Sequence, residues 1–136
     1  MYPGTYAAAT PDKLAIVHAD TGETRTYAEL NANSVKLARH LGEHGIGAGD
    51  NIAFFSDNLP QVFETYWAAI RSGRYVTGVN CHLTAAEAAY VLGDCGARAL
   101  LVSAAHAEVA REILDLVPGL RVRLVFDAGG VPGFGS

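Results

Sequence analysis

Cysteine, lysine and long apolar runs are all scarce in this chain. Its 136 residues include two cysteines, Cys81 and Cys95, and two lysines, Lys13 and Lys36. The cysteines fit neither a disulfide framework nor a CxxC redox pair. No stretch approaches the ~18 consecutive apolar residues of a membrane span, so no transmembrane segment is expected. The opening MYPGTYAAATPDK lacks a basic n-region and a continuous apolar h-region, so no secretory signal is expected in it. A cytoplasmic location is therefore the expectation. Net charge is −4, and basic residues such as Arg25, Arg39, Arg71 and Arg98 are scattered rather than striped. That excludes nucleic acid and an anionic membrane surface as the predicted partners. Also missing is a glycine-rich loop running from a strand into a helix, the arrangement that cradles phosphate.

What is present is a globular balance, 50% hydrophobic and 18% charged, in a length suited to one domain. The run KLAIVHADTGETRT reads as a β-hairpin turning at Asp20-Thr21-Gly22. Thr26-x-x-Glu29 is a capping box that starts a helix. Leu30, Ser34, Leu37, Ala38 and Leu41 share one face of it, with Glu29, Asn33, Lys36 and Glu43 pointing away. Gly45 ends that helix. NIAFFS (51–56) reads as a strand covered on both faces, and Pro60 suits the first turn of the next helix. The apolar arc Val62, Phe63, Tyr66, Trp67 and Ile70 predicts a helix buried on more than one side. Then come a strand at 75–79, a helix capped by Thr84-x-x-Glu87, and a strand at 97–102. A helix capped by Ser103 and a strand at 121–126 complete the pattern. Strands alternating with helices of this length need crossover connections. The predicted fold class is α/β, three-layer, with a mainly parallel sheet and flanking helices, preceded by a short N-terminal β-hairpin. Residues 1–126 form the domain portion, and 127–136 read as a Gly-rich linker or truncated end.

Several motifs carry a chemical and a plainer reading. Gly45-x-Gly47-x-Gly49-Asp50 is glycine-rich, but it follows a helix and precedes a strand, the reverse of a dinucleotide fingerprint, so it reads as a turn. His106-Ala107-Glu108 matches the H-x-E of zinc deaminases without their downstream cysteine pair, and reads as chance, with His106 in the first turn of the last long helix. Cys81-His82 could be a thiolate with its base, yet adjacent side chains rarely face each other. Phe54, Phe55, Phe63, Tyr66 and Trp67 could line an acyl pocket; their spacing predicts core. Arg111 and His106 lie near the carboxyl end of the 97–102 strand, where open α/β sheets meet ligands. A contact to CoA is conceivable there; a solvated helix face is the plainer reading.

An ordered series of segments resembles the adenylate-forming (AMP-binding) acyl-CoA synthetases, and most of all their fatty-acyl-CoA ligases. It runs over roughly residues 2–126. The series is PDKLAIV, the TYAEL helix, the GIGAGD turn with its strand and long helix ending in Gly73, the N-x-x-L-T-x-x-E segment at Asn80–Glu87, and DCGAR before the next strand. The sequence departs from the family at Arg74, Gly78 and Val79, where a small residue and a proline are usual. The resemblance implies the N-terminal portion of a ligase that joins a carboxylic acid to CoA with ATP and Mg²⁺. The family's Pro-Lys-Gly phosphate loop and later motifs are not in these residues. The chain alone is therefore expected to be inactive and to hold no cofactor or metal, and no residue is assigned as catalytic, cofactor-binding or metal-binding. The partners implied are the remainder of the synthetase domain and a small carboxylic acid. Two other classes stay open from sequence: a stand-alone, non-catalytic α/β interaction module, and an unrelated nucleotide-binding α/β domain.

Overall fold

The computed structural model describes residues 2–126 and 135. A first helix, α1 (Pro3–Ala9), begins at a proline whose absent N–H costs nothing in a first turn. The sequence reading assigns no element to this segment. The antiparallel hairpin follows, β1 (Leu14–Val17) and β2 (Thr24–Thr26). Next come α2 (Tyr27–Glu43), β3 (Asn51–Phe55), α3 (Pro60–Arg71) and β4 (Tyr75–Val79). The chain continues through α4 (Ala85–Asp94), β5 (Ala97–Ser103), α5 (Ala107–Leu116) and β6 (Val122–Phe126).

The four later strands form one parallel sheet in the order β4-β3-β5-β6. Side chains alternate across it, which is the period-2 geometry of a strand. Ala53, Phe55, Val79, Leu100, Val102 and Val125 face one way and pack against α4 and α5 through Ala88, Leu92, Ala110 and Ile113. Ile52, Ala99, Leu101 and Val122 face the other way and meet Leu41 of α2 and Ala69 of α3. Helices on both faces make the predicted three layers. Gly78 opposes Phe54 in the β3–β4 register. A Cβ added at Gly78 would stand 2.9 Å from the Phe54 ring, so the ring lies where only glycine leaves room.

Local signals act as the sequence suggests, with four corrections. Thr26 and Thr84 each accept the N–H of the glutamate three residues on, at 3.2 and 3.3 Å. Asn33 does not simply point away: its Nδ2 donates to Glu64 Oε1 of α3 at 2.9 Å. Ser103 makes no side-chain cap. It is the last residue of β5 and only 1% exposed, so its hydroxyl lies inside the sheet layer and a 3₁₀ turn, Ala104–His106, intervenes before α5. His106 consequently stands in that turn and at the N-cap of α5, just before its first turn. The fourth correction concerns α3. Its buried residues are Pro60, Gln61, Thr65, Ala68 and Ala69, while Phe63, Tyr66 and Ile70 remain 50, 45 and 48% exposed. Small side chains let α3 approach α2 and the sheet closely, and that turns the bulky apolar arc outward. The predicted linker at 127–136 lies outside the described residues except Gly135, which pairs in parallel fashion with Leu124 of β6.

Candidate functional site

The direction in which successive strands are added to the sheet reverses between β3 and β5. From β3 the chain crosses to β4 on one side, and from β5 it crosses to β6 on the other. In open α/β sheets the crevice outside the carboxyl ends at such a point is where ligands bind. Three chemically active side chains meet there, each from the loop after a different strand: Asp57 after β3, Cys81 after β4 and His106 after β5.

Asp57 is the hub. Its Oδ1 lies 3.0 Å from His106 Nε2 and receives the Cys81 thiol at 3.8 Å. The buried Phe55 ring meets the His106 ring nearly edge-on, with centroids 5.6 Å apart, and fixes its tilt. Asn80 Oδ1 accepts the His82 N–H at 2.9 Å, an Asx turn that sets the Cys81 loop just ahead of the Thr84 cap. The hydrogen bond from His106 holds the Asp57 carboxyl below its ordinary value, reinforced by the thiol. Burial, then the Asp57 charge, pushes the Cys81 thiol up. An open hollow of about 450 Å³ adjoins the cluster, lined by Phe54, Ser56, Asp57, Gly78, Asn80 and Cys81 among others.

This arrangement does not suit nucleophilic catalysis by Cys81. A thiolate needs a base or a positive charge beside it, and here a carboxylate stands between thiol and imidazole. It does suit ligation, because sulfur, nitrogen and oxygen donors converge on one point.

The other sequence candidates scatter. Cys81 turns to Asp57, not to His82 as its base. His106 and Arg111 do not converge: Arg111 lines a hollow with Glu108, Glu112, Asp115 and Arg123, where three carboxylates face two guanidinium groups. Of the five aromatics, Phe55 is core as expected, whereas Phe63 and Tyr66 are exposed. Phe63 and Trp67 instead border an apolar hollow of about 400 Å³ with Tyr2, Tyr6, Ile16 and Tyr27. The glycine turn is closed on itself: Gly47 N–H donates to Asp50 Oδ2 at 2.7 Å. That bond depresses the Asp50 pKa, and the carboxylate takes up the N–H that an anion would otherwise use. Asp57 was not singled out from sequence. Its signal was positional, a carboxylate just past the first core strand, and it acquires meaning only once the strand order is known.

The AMP-binding enzyme family matches residues 5–134. The chain is 27% identical over 121 residues to the medium/long-chain-fatty-acid–CoA/3-oxocholest-4-en-26-oate–CoA ligase of Mycobacterium marinum, covering 89% of this chain and 22% of that protein. It is 33% identical over 107 residues to a feruloyl-CoA synthase of Amycolatopsis, covering 79% and 21% respectively. The chain thus spans about a fifth of these curated relatives. The N-terminal domain of FACL13 from Mycobacterium tuberculosis shares the fold, with a TM-score of 0.83 at 24% identity over 98% of this chain and 37% of that one. The α/β layout, the flanking helices and the parallel sheet are those of adenylate-forming ligases.

Proposed function

This chain belongs to the AMP-binding enzyme family, and from that membership we propose that it supplies the N-terminal part of an ATP-dependent acyl-CoA synthetase. Such an enzyme converts a carboxylic acid, ATP and CoA into acyl-CoA, AMP and pyrophosphate. The relatives' names, a fatty-acid–CoA ligase and a feruloyl-CoA synthase, support an acid–thiol ligase as the class. The role proposed for these residues is architectural: a parallel sheet clad on both faces, against which the nucleotide-handling part of the enzyme packs. The partner is the remainder of the synthetase domain, the substrate a small carboxylic acid, and the setting the cytoplasm. No helix among the described residues is long and apolar enough to cross a membrane.

One observation carries the division of labour. The family pattern covers 5–134, yet the glycine turn within it is filled by its own carboxylate, Asp50. A phosphate-binding loop works by aiming free backbone N–H groups and a lysine at anionic oxygens. Gly47 N–H is engaged, and neither Lys13 nor Lys36 stands at that turn. That turn therefore does not fit the phosphates of ATP. ATP, CoA and Mg²⁺ are assigned to other parts of the synthetase, and the isolated chain takes none of the three.

The test is acid-dependent ATP–pyrophosphate exchange with fatty and aromatic acids. The 136-residue chain should show no exchange above background. A polypeptide in which the same residues continue into a Pro-Lys-Gly phosphate loop should show it. Reproducible exchange by the short chain alone would overturn the division proposed here.

A further inference from the structure

We propose that Asp57, Cys81 and His106 form a binding site for one zinc-class divalent cation at the switch point of the sheet. The three donor atoms, a carboxylate oxygen, a thiol sulfur and a ring nitrogen, all lie within 4.8 Å of one another. Around a tetrahedral zinc ion, donors of these types stand about 3.3–3.8 Å apart, given bonds of about 2.0–2.3 Å. The His106–Asp57 and Cys81–Asp57 separations, 3.0 and 3.8 Å, already bracket that range. The Cys81–His106 donor pair lies within 4.8 Å, so a closure of about 1.3 Å at most, by side-chain rotation, brings it to tetrahedral spacing.

The donor set selects the ion. Sulfur and imidazole ligands suit zinc or cobalt, whereas Mg²⁺ prefers oxygen ligands and accompanies phosphate. This site is consequently distinct from the Mg²⁺ that a synthetase uses with ATP. Three protein ligands leave one coordination position, and the adjoining hollow of about 450 Å³ opens it to solvent or a small anion. The supports of the ligands are also in place: Phe55 orients the imidazole, and Asn80 shapes the Cys81 loop. Binding displaces the thiol proton to solvent and joins the loops that follow β3, β4 and β5. The competing reading is a metal-free staple, in which His106 and Cys81 merely hydrogen-bond Asp57.

Titration of the 136-residue chain with Co²⁺, followed by Zn²⁺ displacement, distinguishes the two. One equivalent should bind with tetrahedral visible absorption and a near-ultraviolet thiolate-to-cobalt band. Cys81→Ser should abolish that band, and His106→Gln should weaken binding at least tenfold. Cys95→Ser should retain the band, since Cys95 caps α4 at the far end of the sheet. His44→Gln should leave affinity unchanged; it controls for the His40–His44 ring pair at the C-terminal end of α2, whose centroids are 4.2 Å apart. The absence of saturable binding would overturn the proposal, as would a band lost in Cys95→Ser or affinity unaltered in His106→Gln. Should Cys81→Ser fail to fold, as judged by circular dichroism, the Cys95→Ser protein alone decides, because Cys81 is then its one remaining thiol.

Discussion

At the scale of single residues, the clearest links from sequence to energy are the caps and one turn. Thr84 Oγ1 accepts the Glu87 N–H, satisfying a donor that α4 cannot satisfy internally. Thr84→Ala should destabilise the fold by about 0.5–2 kcal/mol, read as a lowered denaturation midpoint; an unchanged midpoint would reject the cap. Asp50 makes a different prediction because its contribution depends on charge. Its folded pKa lies below the ordinary value, chiefly through Gly47 N–H and further through Arg98 at 3.4 Å. A depressed carboxyl stabilises the fold fully above the unfolded value of about 3.9 and loses that contribution as pH falls through the folded value. Asp50→Asn should therefore melt below the parent at neutral pH, and the gap should close as pH falls below about 4. A gap that stays constant through that range would show that the charge is not what matters. Both features were legible because each is written within four consecutive residues. Ser103 was not, since a serine ahead of a helix resembles a cap unless the depth of its strand is known. Arg74 was equally opaque. Only 8% exposed, it donates through Nε and Nη2 to the Ile46 carbonyl, a partner 28 residues away.

Elements were more legible than faces. The strand at 75–79 agrees with the sequence reading at both ends, and 51–55, 97–103 and 122–126 differ from it by one residue at a single end. Period and turn residues declare an element, whereas its orientation depends on neighbours that only the fold supplies. That is why α3 was expected to bury its bulky arc and instead presents Phe63, Tyr66 and Ile70 outward. It is also why the Asp57–Cys81–His106 cluster, assembled from three loops, had no signature along the chain. The hairpin is joined to the helices by a node that sequence equally could not show. Glu64 Oε1 on α3 accepts from Arg25 Nε of β2 and from Asn33 Nδ2 of α2, each at 2.9 Å. Both Glu64 and Arg25 are mostly buried, with side-chain exposures of 12 and 16%. Glu64→Ala would leave both donors short of an acceptor and should cost about 1–3 kcal/mol. Amide exchange should rise in β1 and β2 more than in β3 and β5, whose packing does not depend on the node. Uniform acceleration across all strands would mean that the hairpin is no separate unit.

At the scale of the whole molecule, the sheet is finished on some sides and not on others. Its two faces are clad, but β6 is an edge to which Gly135 already adds a parallel bridge. The outward arc of α3 is apolar, and the hollow beside it is walled by Tyr2, Tyr6, Phe63 and Trp67. Unpaired edges and exposed apolar patches promote association. Covering about 200 Å² of apolar surface is worth about 5 kcal/mol, which rivals the low end of domain stability, about 5–15 kcal/mol. On the reading proposed above, these surfaces are the ones that the rest of a larger synthetase domain covers. Sedimentation of the purified chain, with hydrophobic-dye binding on the same sample, tests this most directly. The predicted result is concentration-dependent oligomers that bind dye, relieved when the remainder of the synthetase is co-expressed. A monodisperse monomer that melts cooperatively and binds no dye would contradict it.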